Sequence, residues 1–150
     1  MDRFDKTVLA AALIRDDVGG VLIVRPSYRE DWSLPGGGVQ QGEPPKQGCE
    51  RVLKEALGIK LTLGHLLCLD YQTEDARGIE SLTFVFDAGE ATPDNIIDIA
   101  LPENKLSAFE FAAPSVAVEK LNASLGRCLR YALAAQHNRQ TLYLENKELI

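Results

Sequence analysis

The run Trp32-Ser33-Leu34-Pro35-Gly36-Gly37-Gly38-Val39 leads through Gln40-Gln41-Gly42-Glu43 into Pro44-Pro45, and the chain then reads Cys49-Glu50-Arg51-Val52-Leu53-Lys54-Glu55-Ala56-Leu57 before Gly58-Ile59. No period can be read from Arg25 to Glu43, which is polar and glycine-rich. A helix is expected to start near Pro44-Pro45, because proline suits a first turn, and to stop at Gly58. At 100° per residue, Cys49, Val52, Leu53, Ala56 and Leu57 share an apolar arc of roughly 140°, with Arg51 and Glu55 just outside one edge. Glu50 is turned about 140° away from Glu55 and cannot act beside it. Taken alone, the pattern describes an amphipathic helix packed on a sheet.

The spacing adds more. A glycine, then Glu six residues on, then Arg after eight more, followed by an apolar residue, Glu, Gly and a final apolar residue, is matched by Gly37, Glu43, Arg51, Leu53, Glu55, Gly58 and Ile59. This resembles the box of the Nudix hydrolases, and the Leu-Pro-Gly-Gly before it is also typical of that family. The resemblance implies an α+β Nudix fold, a mixed β-sheet sandwiched between helices, covering residues 1–150 as one domain. It also implies cleavage of the pyrophosphate in a nucleoside diphosphate linked to another group. The family uses Mg²⁺ for this, with Mn²⁺ as a substitute, because such a substrate is densely anionic and a divalent ion neutralises it and positions water. Carboxylates at i, i+3 and i+4 of the helix supply oxygen ligands from one face. In this chain those positions hold Val52, Glu55 and Ala56.

Two of the three box carboxylates are therefore missing, and the cation is expected to bind weakly. Glu55 is the implied catalytic and metal residue, with Arg51 beside it. Gly37 could lend a carbonyl, and Glu103 in the later loop is the nearest candidate for a further acid, with plain surface charge as its competing reading. Glu43 and Arg51 are expected to pair and brace the loop against the helix. Arg25, Tyr28 and Arg29, with the backbone of Gly36, Gly37 and Gly38, are the candidate substrate-binding groups, since arginine grips phosphate and an aromatic face stacks on a base. Trp32 has an equal claim to pack beneath the loop. Three readings follow: a slow hydrolase, a silent nucleotide-binding protein, and a scaffold whose signature helix is only structural.

Outward from this segment, Thr7 to Ile14 and Val21 to Val24 read as a hairpin across Asp17-Val18-Gly19-Gly20. Lys60 to Tyr71 and Ser81 to Asp87 read as strands, Gly89 to Lys105 as a long loop, and Ser107 to Phe111 as a short strand. After Pro114 the spacing of Leu121, Leu125, Cys128, Leu129 and Ala132 is helical, with Asn122-Ala123-Ser124 and Gly126 as the expected break. Thr141 to Leu144 reads as an edge strand.

The 150 residues, 45% hydrophobic and 25% charged, suit a folded domain with a real core. A net charge of −6 with no long basic cluster argues against nucleic acid as a partner and for a small nucleotide-like ligand held by local cations. Arg127, Arg130 and Arg139 read as a solvated helix face, and His65 as structural. Cys49, Cys68 and Cys128 have no zinc-like spacing and read as buried free thiols, which favours a reducing cytoplasm. The early apolar run is too short to span a bilayer, so no membrane association is expected. A homodimer is compatible with all of this.

Overall fold

The structure is a computed structural model that describes residues 6–73, 75–100, 105–146 and 148–149. Its strands are β1 (Lys6–Arg15), β2 (Val21–Pro26), β3 (Gly36–Gly38), β4 (Leu66–Gln72), β5 (Glu80–Glu90), β6 (Leu106–Ala112), β7 (Leu142–Glu145) and β8 (Glu148–Leu149). Its helices are α1 (Pro45–Leu57), α2 (Pro93–Ile97), α3 (Pro114–Lys120) and α4 (Ala123–Asn138). The strands form one mixed sheet in the order β6-β2-β1-β5-β4-β7-β8, with β3 also paired to β1. The β1/β5 and β4/β7 pairs are parallel and the rest antiparallel.

Successive residues of a strand point to opposite faces, and β1 and β2 are apolar on both. Ala10, Ala12 and Ile14 of β1, with Leu22 and Val24 of β2, pack with Cys49, Leu53 and Leu57 of α1. Ala11 and Leu13, with Val21 and Ile23, face Ala117 of α3 and Cys128, Leu129, Ala132 and Ala135 of α4. The sheet thus lies between two helical layers, as the resemblance implied. Each fully buried leucine here, Leu13, Leu53 and Leu57 among them, contributes about 1.5–3 kcal/mol relative to an exposed one. All three cysteines are buried free thiols, and Cys68 and Cys128 meet across β4 and α4 with their sulfurs 3.6 Å apart. Burial pushes the Cys49 thiol up to about 12.

Several elements differ from the sequence reading. Residues 60–65 are not strand, because Ile59 and Leu63 turn into the core. The β4 ladder opens only after Gly64 N–H donates to the Asp87 carbonyl at 2.6 Å. The loop expected from Gly89 holds the end of β5 and the short helix α2. Thr92 caps α2, accepting from Asn95 N–H, while Asn95 returns the contact and Pro93 fills the first turn. The helical region breaks at Leu121-Asn122, where Asn122 caps α4 by accepting from Leu125 N–H. Gly126 lies inside α4, where a side chain would place its Cβ 2.6 Å from the Val118 carbonyl, so its smallness brings α3 and α4 together. β7 is flanked by β4 and β8, so β8 and not β7 stands at that edge. The glycine run forms β3.

Candidate active site

β3 lies antiparallel to β1, with Gly36, Gly37 and Gly38 opposite Ala11, Ala10 and Leu9. Gly36 has φ 151°, and a Cβ there would lie 2.2 Å from the Ala10 carbonyl oxygen, so only glycine allows this approach. A Cβ on Gly37 would come 3.3 Å from Val52 Cγ1, which shows how closely β3 rides on α1. The chain between them is braced by the side chains of Glu43, which accepts from Gln40 N–H at 3.1 Å, and Arg51. Arg51 donates from Nε to Glu43 Oε2 at 2.9 Å and from Nη2 to Glu43 Oε1 at 3.1 Å, a bidentate pair. Nη2 also donates to the Gly38 carbonyl at 3.2 Å, and Nη1 to Glu55 Oε2 at 3.2 Å. Arg51 therefore ties the turn before α1, the end of β3 and Glu55 into one unit.

The Arg51 guanidinium, helped by the Gln40 N–H, holds the Glu43 carboxyl below the usual glutamate range. A lowered folded value means that this stabilisation is complete above the ordinary pKa of about 4.3 and is lost as pH falls through the lowered one. In a melt-versus-pH series, Glu43→Gln should flatten the acid limb below about pH 4.3. The shares of Asp75 and Glu80, lowered by Arg77 and Lys6, should remain. An acid limb identical to wild type would show that the Glu43 pair carries no net stability.

Next to β3 a cleft of about 480 Å³ opens, lined among others by Gly36, Gly37, Gly38, Val52, Glu55 and Ala56. The apolar arc of α1 is divided by the packing. Cys49, Leu53 and Leu57 are fully buried in the core, whereas Val52 and Ala56 are half-buried and face the cleft. The Glu55 side chain is about half exposed (49%) on the same wall. Tyr28 and Arg29 line the cleft from the turn after β2, where Arg29 N–H donates to the Pro26 carbonyl at 3.1 Å. Arg25 does not line it: its Nε donates to Ser107 Oγ at 3.0 Å across β2 and β6. Trp32 packs against the α3/α4 side of the core, with Lys120 Nζ 5.3 Å from its ring centre. Glu103 lies outside the described residues.

Lys105 also lines the cleft and was missed in the sequence. Its only signal was a cation two residues before an expected strand, and nothing local showed that this strand pairs with β2. A larger hollow, about 660 Å³, is lined by Lys6, Val8, Gln41, Glu43 and Phe84 among others and shares no lining residue with the cleft. Its cation, Lys6, is committed to Glu80 at 2.7 Å.

Magnesium wants about six oxygen ligands in an octahedron. Among the described residues the cleft offers one carboxylate, already bonded to Arg51, and hydrocarbon at Val52 and Ala56. The Gly38 carbonyl also accepts from Arg51, which leaves it one lone pair. Among the described residues no group of three His, Cys, Asp or Glu side chains is placed to hold a metal. This donor set does not fit a resident magnesium ion. What the cleft does offer is a braced carboxylate and a glycine strand, with the cations Arg29 and Lys105 also in its lining.

A NUDIX domain family model matches residues 5–132. No curated protein matches the chain. Among solved structures, the chain is similar to a MutT NUDIX hydrolase from Burkholderia pseudomallei at 25% identity and TM-score 0.66, covering 87% of this chain and 97% of that one. It is similar to a MutT protein from Methanosarcina mazei at 20% identity and TM-score 0.72, covering 93% and 99%. It is also similar to an ADP-ribose pyrophosphatase from Streptococcus suis at 16% identity and TM-score 0.65, covering 93% and 98%.

Proposed function

Because the chain belongs to the Nudix family, we propose that the cleft beside β3 takes a nucleoside diphosphate linked to a second group and hydrolyses its pyrophosphate slowly. The observation that carries this reading is the placement of Glu55, held by Arg51 at 3.2 Å, in the lining of the same cleft as Gly36, Gly37 and Gly38. In this reading the glycine strand, lacking side chains, lets the phosphates approach the backbone. The Glu55 carboxylate accepts a hydrogen bond from a water molecule and takes its proton as the water oxygen bonds to phosphorus. The bridging oxygen then leaves with the other phosphate. Arg51 is a positioning residue, keeping Glu55 aimed at the cleft through its grip on Glu43. Mg²⁺ or Mn²⁺ binds the empty protein only weakly, since one carboxylate stands where the family places three.

Residues 1–150 act as one domain, and the ligand is a small nucleotide-like molecule of the kind named for the Streptococcus suis relative. No described helix is long and apolar enough to cross a membrane. A second reading, a cleft that binds without cutting, is favoured by the hydrocarbon at Val52 and Ala56. Both readings require the ligand to sit in this cleft. Titration of ¹⁵N-labelled protein with ADP-ribose, UDP-glucose and GDP-mannose should shift the amides of Gly36–Gly38, Val52, Glu55 and Ala56 for at least one of the three. Shifts confined to Lys6, Gln41 and Glu43, around the larger hollow, would place the site elsewhere and remove the role of Glu55.

A further inference from the structure

The charges around the cleft are arranged in a way that bears on metal dependence. Among the described lining residues the only carboxylate is Glu55, and Arg51, which it shares with Glu43, offsets part of its charge. The two cations are Arg29 and Lys105. They come from segments 76 residues apart in sequence (105 minus 29) that β2/β6 pairing brings to the same end of the sheet, with Pro26 opposite Leu106. Ser27 N–H donates to the Lys105 carbonyl at 3.0 Å, which fastens the Arg29 turn to the Lys105 segment. Among the described residues Arg29 has one loose carboxylate contact, Nε to Asp31 Oδ1 at 3.7 Å, and it stands 5.7 Å from the Tyr28 ring centre. Lys105 has no ion-pair partner among the described residues, and it is exposed and lines the cleft.

Three carboxylates on one helix face would repel a pyrophosphate unless a divalent ion came between them. Val52 and Ala56 remove that repulsion and the oxygen ligands together. We infer that Arg29 and Lys105 form a phosphate-binding rim that replaces the divalent cation, so that the pyrophosphate of the ligand binds this cleft without metal. The inference rests on the proposed use of the cleft, but it makes a claim of its own about the sign of the metal effect. Where a metal bridges protein and phosphate, adding it strengthens binding. Where side-chain cations read the phosphate charge, metal held by the ligand cancels part of that charge and leaves affinity equal or lower.

Calorimetric titrations with ADP-ribose, UDP-glucose and GDP-mannose, each in EDTA and in Mg²⁺, test this. At least one probe should bind in EDTA as tightly as in Mg²⁺ or more tightly, and more weakly at high salt. Lys105→Ala should weaken that binding about tenfold and Arg29→Ala by a similar factor, since each removes one charge-assisted contact. Lys105→Arg should keep most of the affinity, and both positions are exposed enough that melts should be unchanged. Binding that needs Mg²⁺ and ignores Lys105→Ala would overturn the rim while leaving the proposed cleft intact. No binding of any probe under either condition would overturn the reading on which the rim rests, and the rim with it.

Discussion

The double variant Val52→Glu with Ala56→Glu is expected to gain both metal affinity and hydrolytic rate. The two side chains stand at the i and i+4 positions around Glu55 and line the cleft, half-buried, with Ala56 also touching the core beneath it. Glutamates there would present three carboxylates from one helix face, the oxygen set that magnesium prefers. Without metal the three charges repel one another, so the melting temperature should fall. With Mg²⁺ it should recover, because a ion that binds only the folded state stabilises it, by about 2.7 kcal/mol at a hundred times its dissociation constant. Hydrolysis of a nucleoside diphosphate sugar should rise by about 10²-fold or more in Mg²⁺, which is the order expected when a cation is added to neutralise charge and activate water. A poorly folded variant would mean that Val52 and Ala56 are core residues, and a well-folded one with no response to metal would count against a Nudix-type site in this cleft.

Glu55→Gln is the opposite test. The amide is nearly isosteric, and its oxygen can still accept from Arg51, so the brace linking Glu43, Gly38 and Arg51 should survive. What disappears is the capacity to take a proton from water. Loss of a positioned general base typically costs 10²–10⁴-fold, so residual hydrolysis should fall by about 10² or more while the melt changes little. Because the Glu55 side chain is half exposed and its pair with Arg51 is near the surface, the substitution should cost stability of no more than about 1 kcal/mol. A folded Glu55→Gln protein with undiminished turnover would move the base to another residue.

The parts of this site that were legible in the sequence are those set by spacing along the chain. Gly37, Glu43, Arg51 and Gly58 fall at separations that anticipate the loop, the brace and the helix end, and the Glu43–Arg51 pair forms as read. The apolar runs Thr7 to Ile14 and Val21 to Val24 marked the first two strands, while the two covered faces of the sheet were implied only by the resemblance. Helical periodicity could not divide its own apolar arc: Val52 and Leu53 look alike in a wheel, and only the seating of Gly37 on Val52 shows which one faces the cleft. Lys105 was hidden because its role depends on β2 pairing with β6, a contact between distant segments. The same pairing sets where Arg25 goes: it bonds Ser107 across β2 and β6, while Arg29 lines the cleft. α2 is a different case. Thr92-Pro93 with Asn95 is a local capping signal present in the sequence, inside a stretch whose acidic residues and two prolines read as loop.

The most direct measurement is ³¹P NMR of product formation from ADP-ribose, UDP-glucose and GDP-mannose, with wild-type protein and Glu55→Gln followed side by side over many hours. The account predicts slow conversion of at least one compound by wild type into a nucleoside monophosphate and a sugar phosphate, cut within the pyrophosphate, and about 10²-fold less by Glu55→Gln. Equal conversion by both proteins, or none of the three cut by wild type although one of them binds the cleft, would contradict a hydrolase working through Glu55.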